Sequence, residues 1–299
     1  MKIMVAEYVV GGGGAERTSL LKEGEAMLAT LKGSFERAGN EIISPVAEDD
    51  FEAAVDTLSK ESDAGLVIAP EDVLYRLTEL VERNTINLGC PSECVKICAD
   101  KRWTTEVLSE RGIPVPKIVS REEWQESGAS GIYVKKPRYG CASEDVFIVN
   151  GLQEEDDKYI VTEFIKGEDI SSSIVAGTSS VLPLTINKQF IMRDGGRLRY
   201  EGGKVPFFMG QEAEAAVIDT SKKVATVLHC NGYVGIDFVV DEEGKAYVVD
   251  VNPRPTTSVV GIAKVLKHEI ADLILSAKFG TLPRDDEIET EGHCIFKLS

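Results

Sequence analysis

Residues 232–255 read GYVGIDFVVDEEGKAYVVDVNPRP, two apolar runs separated by the turn sequence 241-DEEG-244. This pattern predicts a β-hairpin. Asp237 on the first arm is then roughly opposite Asp250 on the second, and Asn252 shares the face of Asp250 because strand side chains alternate. Three oxygen-bearing side chains without a nearby Cys or His are the ligands that Mg²⁺ prefers. The hairpin therefore predicts a metal site at Asp237, Asp250 and Asn252 in preference to a solvated face.

Arg254 follows the second arm of the hairpin and stands between Pro253 and Pro255. The two prolines restrict the backbone on either side of it. A guanidinium at the rim of a metal site can bind a carboxylate or a phosphoryl group through two hydrogen bonds. We therefore expect Arg254 to contact an anionic substrate group.

A second segment, 132-IYVKKPRYGCASEDVFIV-149, places two lysines at the end of an apolar strand. Adjacent strand residues face opposite sides, so only one of Lys135 and Lys136 can point into a cleft. Small residues follow at 140–143, and their backbone amides can fold over phosphate oxygens. The segment predicts a strand and loop that bind a triphosphate, although Lys-Pro at a strand end is common.

A third segment, 159-YIVTEFIKGEDIS-171, is a buried strand followed by a glycine turn and two acidic residues. An extended backbone offers an N–H and C=O pair that can bind an adenine edge, and an acid beyond the turn can accept hydrogen bonds from ribose. Taken by itself, the segment is better explained as an edge strand and hairpin.

The rest of the chain shows two kinds of pattern. Up to about residue 90, apolar strands alternate with amphipathic helices, which indicates parallel strands in a doubly wound α/β lobe. The run 11-GGGG-14 in this lobe lacks the Lys-Ser/Thr ending of a phosphate loop, so we expect it to border a small-substrate pocket. Segments 92–112 and 262–280 are each predicted to be one helix, and short strands from Tyr133 onward predict an antiparallel α+β half.

Composition and charge exclude several classes of protein. The net charge of −17 argues against a general nucleic-acid surface, and no apolar segment approaches the roughly 20 residues of a membrane helix. The first residues lack a long signal-peptide core, so we expect a cytoplasmic protein. Six cysteines without a CxxC pair favour a reducing compartment. Cys90, Cys94 and Cys98 recur every four residues, which we interpret as buried thiols on one helix face rather than a metal cluster.

In combination and in order, these motifs resemble the ATP-grasp superfamily. The resemblance implies an N-terminal α/β lobe and an α+β fold whose antiparallel sheets, in two lobes, clasp ATP, with domains at 1–96, 97–167 and 168–299. It implies Mg²⁺, or Mn²⁺ as an alternative, at the hairpin. Asp250 departs from the Glu that is usual in the family, which leaves the number of metal ions open. The residues implied to bind ATP are Lys101, Lys136, Gly140, Ser143, Glu163, Phe164, Ile165 and Asp169.

The reaction implied by this resemblance transfers the γ-phosphoryl group to a carboxylate and forms an acyl phosphate. Its catalysis rests on positioning and on neutralisation of charge. We expect Arg254 to counter the charge of the acyl phosphate. Lys188 is the second expected catalytic residue, with Arg199 and Lys204 as alternative contacts of the γ-phosphate; surface cations on a hairpin explain these three equally well.

A narrower resemblance links 7-EYVVGGG-13, 186-INKQFI-191 and 199-RYEGGKVPF-207 to the archaeal tyramine–glutamate ligases of methanofuran biosynthesis. It implies an ATP-dependent carboxylate–amine ligase that joins glutamate to tyramine. The alternatives are another ATP-grasp ligase acting on amino acids, of dipeptide, pyrrolysine-pathway or purine-pathway type, and a non-catalytic nucleotide-binding protein. We expect small-molecule substrates, no nucleic-acid or membrane partner, and a homodimer.

Overall fold

The computed structural model describes residues 1–14, 20–120, 131–140, 145–150 and 156–297. The elements of the first lobe are β1 (Lys2–Glu7), α1 (Leu21–Arg37), β2 (Glu41–Ile43), α2 (Phe51–Lys60), β3 (Ala64–Ile68), α3 (Glu71–Asn84) and β4 (Ile86–Asn87). Within the described residues, its strands form a parallel sheet in the order β2-β1-β3-β4. Every residue of β3 and all but the first of β1 are buried, because helices cover both faces of the sheet. The predicted doubly wound lobe is confirmed.

Segment 92–112 is two helices rather than the one predicted, α4 (Ser92–Ala99) and α5 (Lys101–Glu110). Asp100 separates them: its backbone is extended, and its carboxylate accepts hydrogen bonds from the N–H groups of Arg102 and Trp103. An Asp at this position satisfies amides that have no partner within the helix, so a new helix starts after it. The break makes Lys101 the first residue of α5.

The second half of the chain is built on antiparallel strands: β5 (Ile132–Pro137), β6 (Val146–Asn150), β7 (Tyr159–Glu163), β8 (Glu168–Ala176), β9 (Val181–Asp194), β10 (Arg197–Val205), β11 (Gly232–Val240), β12 (Ala246–Asn252) and β13 (Cys294–Lys297). Over the described residues their order is β12-β11-β8-β9-β10-β6-β5-β7, with β13 paired to β10. β6 and β10 meet through two residue pairs, Arg197 with Phe147 and Leu198 with Val146. The sheets of the two predicted lobes are therefore joined at their edges. The antiparallel α+β half is confirmed, whereas domain boundaries at 96 and 167 stay a prediction.

Among the described residues of this half there are three further helices, α6 (Gln211–Val227), α7 (Val259–Val265) and α8 (Ile270–Phe279). The single helix predicted over 262–280 is wrong, because residues 266–269 separate α7 from α8. The hydroxyl of Ser34 on α1 accepts a hydrogen bond from Ala271 N–H, and Arg37 pairs with Glu269, so α8 begins against the first lobe. In the described part of the chain, no helix has both the length and the apolar composition required to cross a membrane.

Candidate functional site

The hairpin of β11 and β12 brings the predicted metal ligands together. Asp237 and Asp250 are direct partners across the two strands, and Asn252 pairs with Gly235 two positions away. The Asn252 side-chain amide lies 3.3 Å from Asp237 Oδ2, and Gln189 Nε2 on β9 lies 2.8 Å from Asp237 Oδ1. All four polar side chains line one cavity. Pairing within the hairpin is therefore sufficient to bring Asp237, Asp250 and Asn252 together. Gln189 reaches them from β9.

Two lysines from different elements approach the same carboxylates. Lys101 at the start of α5 places its Nζ 2.9 Å from both oxygens of Asp250. Lys136 on β5 donates a hydrogen bond of 2.6 Å to the Val249 carbonyl and lines the cavity, whereas Lys135 lies 4.4 Å from the ring centroid of Tyr159. Of the two adjacent lysines, Lys136 is thus the one that faces the cavity.

The pKa values in this cluster follow from burial and from the charges that face each other. Burial and the charge of Asp250 raise the pKa of Asp237 to about 7. Burial alone would raise the pKa of Asp250, but the ammonium groups of Lys101 and Lys136 hold it below its ordinary value. Burial lowers the pKa of Lys136 to about 8. At Asp237, the charge of Lys101 therefore offsets only part of the effect of burial and of Asp250.

This arrangement fits a divalent metal ion. Two buried carboxylates that face each other repel, and this repulsion adds to the effect of burial in raising the pKa of Asp237. A hard cation coordinated by carboxylate and amide oxygens removes it. Asp237, Asp250 and Asn252 supply those oxygens, which makes them the residues that could hold the ion.

The cavity beside the hairpin has a volume of about 720 Å³ and is lined by residues of both halves of the chain. Its size lies within the range of roughly 300–1,000 Å³ that is common for ligand sites. The wall includes seven of the eight residues predicted to bind nucleotide, namely Lys101, Lys136, Gly140, Glu163, Phe164, Ile165 and Asp169. Ser143, predicted to bind phosphate, lies outside the described residues.

Comparison with known proteins shows which family the chain belongs to. Residues 98–258 match the ATP-grasp domain, and residues 26–95 match the pre ATP-grasp 3 domain. The chain belongs to the ATP-grasp family.

Individual relatives agree with this ATP-grasp assignment. The tyramine–L-glutamate ligase of Methanocaldococcus jannaschii is 29% identical in an alignment 286 residues long. The alignment covers 87% of this chain and 84% of the relative. The corresponding ligase of Methanocaldococcus fervens is 28% identical, over 91% of this chain and 92% of the relative. The crystal structure of an ATP-grasp superfamily protein from Archaeoglobus fulgidus superposes with a TM-score of 0.77 and 29% identity, and covers 93% of this chain and 89% of that one.

The fold and the class of activity follow from this membership. The predicted combination of an α/β lobe and an ATP-grasp fold is confirmed. The chain is an ATP-dependent ligase that joins a carboxylate to an amine, as predicted. ATP-grasp ligases in general use ATP with divalent metal ions, which agrees with the carboxylate cluster of the hairpin.

Lys188, which the sequence predicts to be catalytic, has its side chain outside the cavity. It is not among the described residues that line the ATP-grasp cavity; its ammonium pairs with Glu168 and lies 5.8 Å from the ring centroid of Phe207. Side chains alternate along β9, so Gln189 occupies the cavity side instead. Of the three cations considered for contact with the γ-phosphate, Arg199 lines the cavity.

Arg254 lines the cavity where the first lobe meets the hairpin. Its Nη2 atom lies 2.6 Å from Glu71 Oε1, and the two side chains are 12% and 2% exposed. Glu71 is the first residue of α3 and is therefore anchored by the first lobe. A buried guanidinium requires an anionic partner, which here also fixes its direction. The sequence does not reveal Glu71, because an acid in the first turn of a helix is common.

The first lobe contributes a second group of carboxylates that sequence reasoning missed. Glu7 at the end of β1 and Glu23 on α1 line the cavity beside the apolar side chains of Val9, Leu20 and Met27. Glu23 accepts a hydrogen bond of 2.8 Å from the Thr257 hydroxyl. Burial raises the pKa of both carboxyl groups. This end of the cavity is thus acidic and apolar.

The glycine run at 11–14 supports the pocket wall rather than forming it. Gly12 has a φ of 103°, and a Cβ there would approach the Glu48 carbonyl oxygen to 2.2 Å. Only glycine tolerates this combination of conformation and crowding. The turn packs against 48–51, while Val9, just before it, lines the cavity.

Proposed function

We propose that this ATP-grasp ligase joins a carboxylate of glutamate to the amine of tyramine, with Mg²⁺ as the divalent ion. The observation that carries the proposal is that different elements bring opposite charges to one cavity: Lys101 and Lys136 line it from α5 and β5, and Glu7 and Glu23 line it from β1 and α1 of the first lobe. Similarity to tyramine–L-glutamate ligases over most of both chains supports these two substrates.

The cationic end of the cavity suits the phosphates of ATP. Lys101 and Lys136 would contact phosphate oxygens, with adenine against the backbone at Phe164 and Ile165 and ribose at Asp169. The hairpin residues Asp237, Asp250 and Asn252 would hold Mg²⁺. Once bound, the ion would supply neutralisation of phosphate charge.

Arg254 lines the same cavity, and its charge acts on both Glu7 and Glu23, so the glutamate carboxylate would react beside it. Its guanidinium would orient that carboxylate as an oxygen atom bonds to the γ-phosphorus and the bond to ADP breaks. In the acyl phosphate that results, the amine attacks the carbonyl carbon and phosphate leaves. The proton of the amine passes to a carboxylate or to the departing phosphate. Arg254 counters the negative charge that builds up on the reacting oxygens.

The acidic end of the cavity suits an aromatic amine. Glu7 and Glu23 would provide the counter-charge for the ammonium group of tyramine, and the side chains of Val9, Leu20 and Met27 would pack against its ring. A bound ammonium favours the charged carboxylates and so reverses the effect of burial on their pKa.

The test of the substrates is release of ADP by the full chain with ATP and Mg²⁺. We expect turnover with glutamate plus tyramine that is at least tenfold above turnover with either substrate alone, and a mass spectrum containing the amide. If neither substrate stimulates ADP release while another amino acid pair does, the proposed substrates are wrong and the ligase class stands.

A matched pair of variants on α1 tests the amine end. Glu23→Gln removes a carboxylate that lines the cavity, whereas Glu25→Gln removes an exposed one two residues away. We expect Glu23→Gln to raise the KM for tyramine about tenfold, with the KM values for ATP and glutamate unchanged. Equal KM values for tyramine in the two variants would contradict this orientation of the substrates.

A further inference from the structure

Three cysteine thiols meet inside the protein, where α4 packs against the region between α6 and β11. Cys90 follows β4, Cys94 lies on α4, and Cys230 comes just before β11. They are 1%, 2% and 7% exposed. Their Sγ atoms all lie within 4.8 Å of one another, and those of Cys94 and Cys230 are 3.6 Å apart. None of the three is among the described residues that line the ATP-grasp cavity.

We propose that Cys90, Cys94 and Cys230 bind one thiol-preferring divalent cation of the zinc class. A Zn–S bond is about 2.3 Å long, so two sulfurs on one tetrahedral ion lie roughly 3.8 Å apart. The spacing of the three sulfurs requires their separations to change by about 1 Å at most. Thiolate is the ligand that soft and borderline cations prefer, and a site without carboxylates selects them over Mg²⁺.

A partly buried lysine beside the cluster supports the same interpretation. Lys278 on α8 donates hydrogen bonds of 2.9 Å to the carbonyl groups of Gly89 and Asn231, which are the neighbours of Cys90 and Cys230 in the chain. Lys278 has no ion pair with a carboxylate among the residues that the structure describes. Three thiolates around a divalent ion carry excess negative charge, and a nearby ammonium offsets it.

A fourth sulfur is within reach of the cluster. Zinc in structural sites takes four ligands. Cys98 lies one turn beyond Cys94 on the same face of α4, is 1% exposed, and its thiol interacts with that of Cys94. Its Sγ atom is not one of the three that lie within 4.8 Å of one another, so Cys98 is a fourth ligand only if its side chain moves toward the cluster.

The position of the cluster gives the ion a structural role in the ligase. Cys94 precedes Lys101 by seven residues, and Cys230 precedes Asp237 by seven. An ion held by both segments would therefore fix the helix that leads to the cavity lysine against the strand that carries a predicted metal ligand. Since the thiols are buried, the ion enters during folding, and its binding releases the thiol protons.

The test is the metal content of the full chain, produced in zinc-supplemented medium and purified under reducing conditions without chelator. We expect about one zinc ion per chain in the native protein. Cys294→Ser, which changes a cysteine on β13 away from the cluster, should keep it. Cys230→Ser should lower the zinc content at least tenfold. A native chain without zinc, or equal zinc in these two variants, would overturn the proposal.

Two further measurements separate metal binding from folding and from oxidation. Zinc added during refolding should raise the unfolding temperature of the native chain but not that of Cys230→Ser, since only a site in the folded state stabilises. Cys94→Ser is measured in the same way, so that the second variant still tests the site if the first fails to fold. A thiol count on denatured, unreduced and chelated protein should give all six cysteines. Loss of two thiols, with a Cys94–Cys230 disulfide in peptide mass mapping, would overturn the metal site.

Discussion

Replacing Glu71 with glutamine removes the carboxylate that faces Arg254 in the cavity. The paired atoms are 2.6 Å apart, and the side chains are 2% and 12% exposed. At an effective dielectric constant of about 20, the attraction at this distance is roughly 6 kcal/mol before desolvation is subtracted. Loss of one partner of a buried pair costs about 3–5 kcal/mol. Because Arg254 also donates to the Pro255 carbonyl, we expect a loss near the lower end, about 3 kcal/mol.

Thermal unfolding of Glu71→Gln measures this loss. For a chain of 299 residues the entropy of unfolding is about 0.6 kcal/mol/K, so about 3 kcal/mol corresponds to a fall in Tm of roughly 5 °C. Glu79→Gln is the matched control, because Glu79 is exposed on the same helix, and its change should stay within about 0.5 kcal/mol.

The same variant tests the orientation of Arg254 in catalysis. Without the Glu71 carboxylate the guanidinium loses the ion pair that holds its direction, so we expect kcat to fall by about tenfold or more, with ATP affinity unchanged. If Glu71→Gln unfolds at the temperature of Glu79→Gln, the pair contributes nothing to stability and the reasoning is refuted.

Three further predictions concern the cavity and the helix that enters it. Burial lowers the pKa of Lys136 to about 8, so ATP affinity measured by calorimetry should fall as pH rises through that value, and Lys136→Met should bind ATP more weakly and lack this dependence. With the pKa of Asp237 raised to about 7, the metal-free folded chain holds a proton that the unfolded chain has released. The free energy of unfolding should therefore fall as the pH rises from about 4 to 7. Asp237→Asn should abolish this fall, and parallel curves of Tm against pH for the two proteins would count against it. Asp100→Ala removes an N-cap and the partner of Arg138, and urea unfolding should show a loss of about 2 kcal/mol; a loss below about 0.5 kcal/mol would exclude this role.

Much of the metal and nucleotide site is predictable because its information is local. A turn sequence with apolar arms sets the pairing of a hairpin, and that pairing alone brings Asp237 opposite Asp250. The alternation of side chains along β5 likewise allows only one of Lys135 and Lys136 to face a cleft. Which of the two does so depends on the sheet that β5 joins, and the structure assigns this position to Lys136.

Helix boundaries show where local patterns are insufficient. The apolar periodicity of 92–112 continues through Asp100, so it predicts one helix. The structure ends that helix because the Asp100 carboxylate caps the next one and also pairs with Arg138, which directly follows the distant strand β5. A capping residue and a helix-interior acid look alike in sequence, and only the partner distinguishes them.

The sequence by itself determines that this chain is a two-part α/β and α+β protein with an acidic hairpin suited to a metal ion, because strand alternation and turn residues act over a few neighbours. The tertiary structure alone decides that Glu71 pairs with Arg254, that Glu7 and Glu23 line the same cavity, and that Cys230 joins Cys90 and Cys94. These groups come from segments far apart in the chain. Their contacts depend on how the two lobes pack, and this packing cannot be predicted from patterns among neighbouring residues.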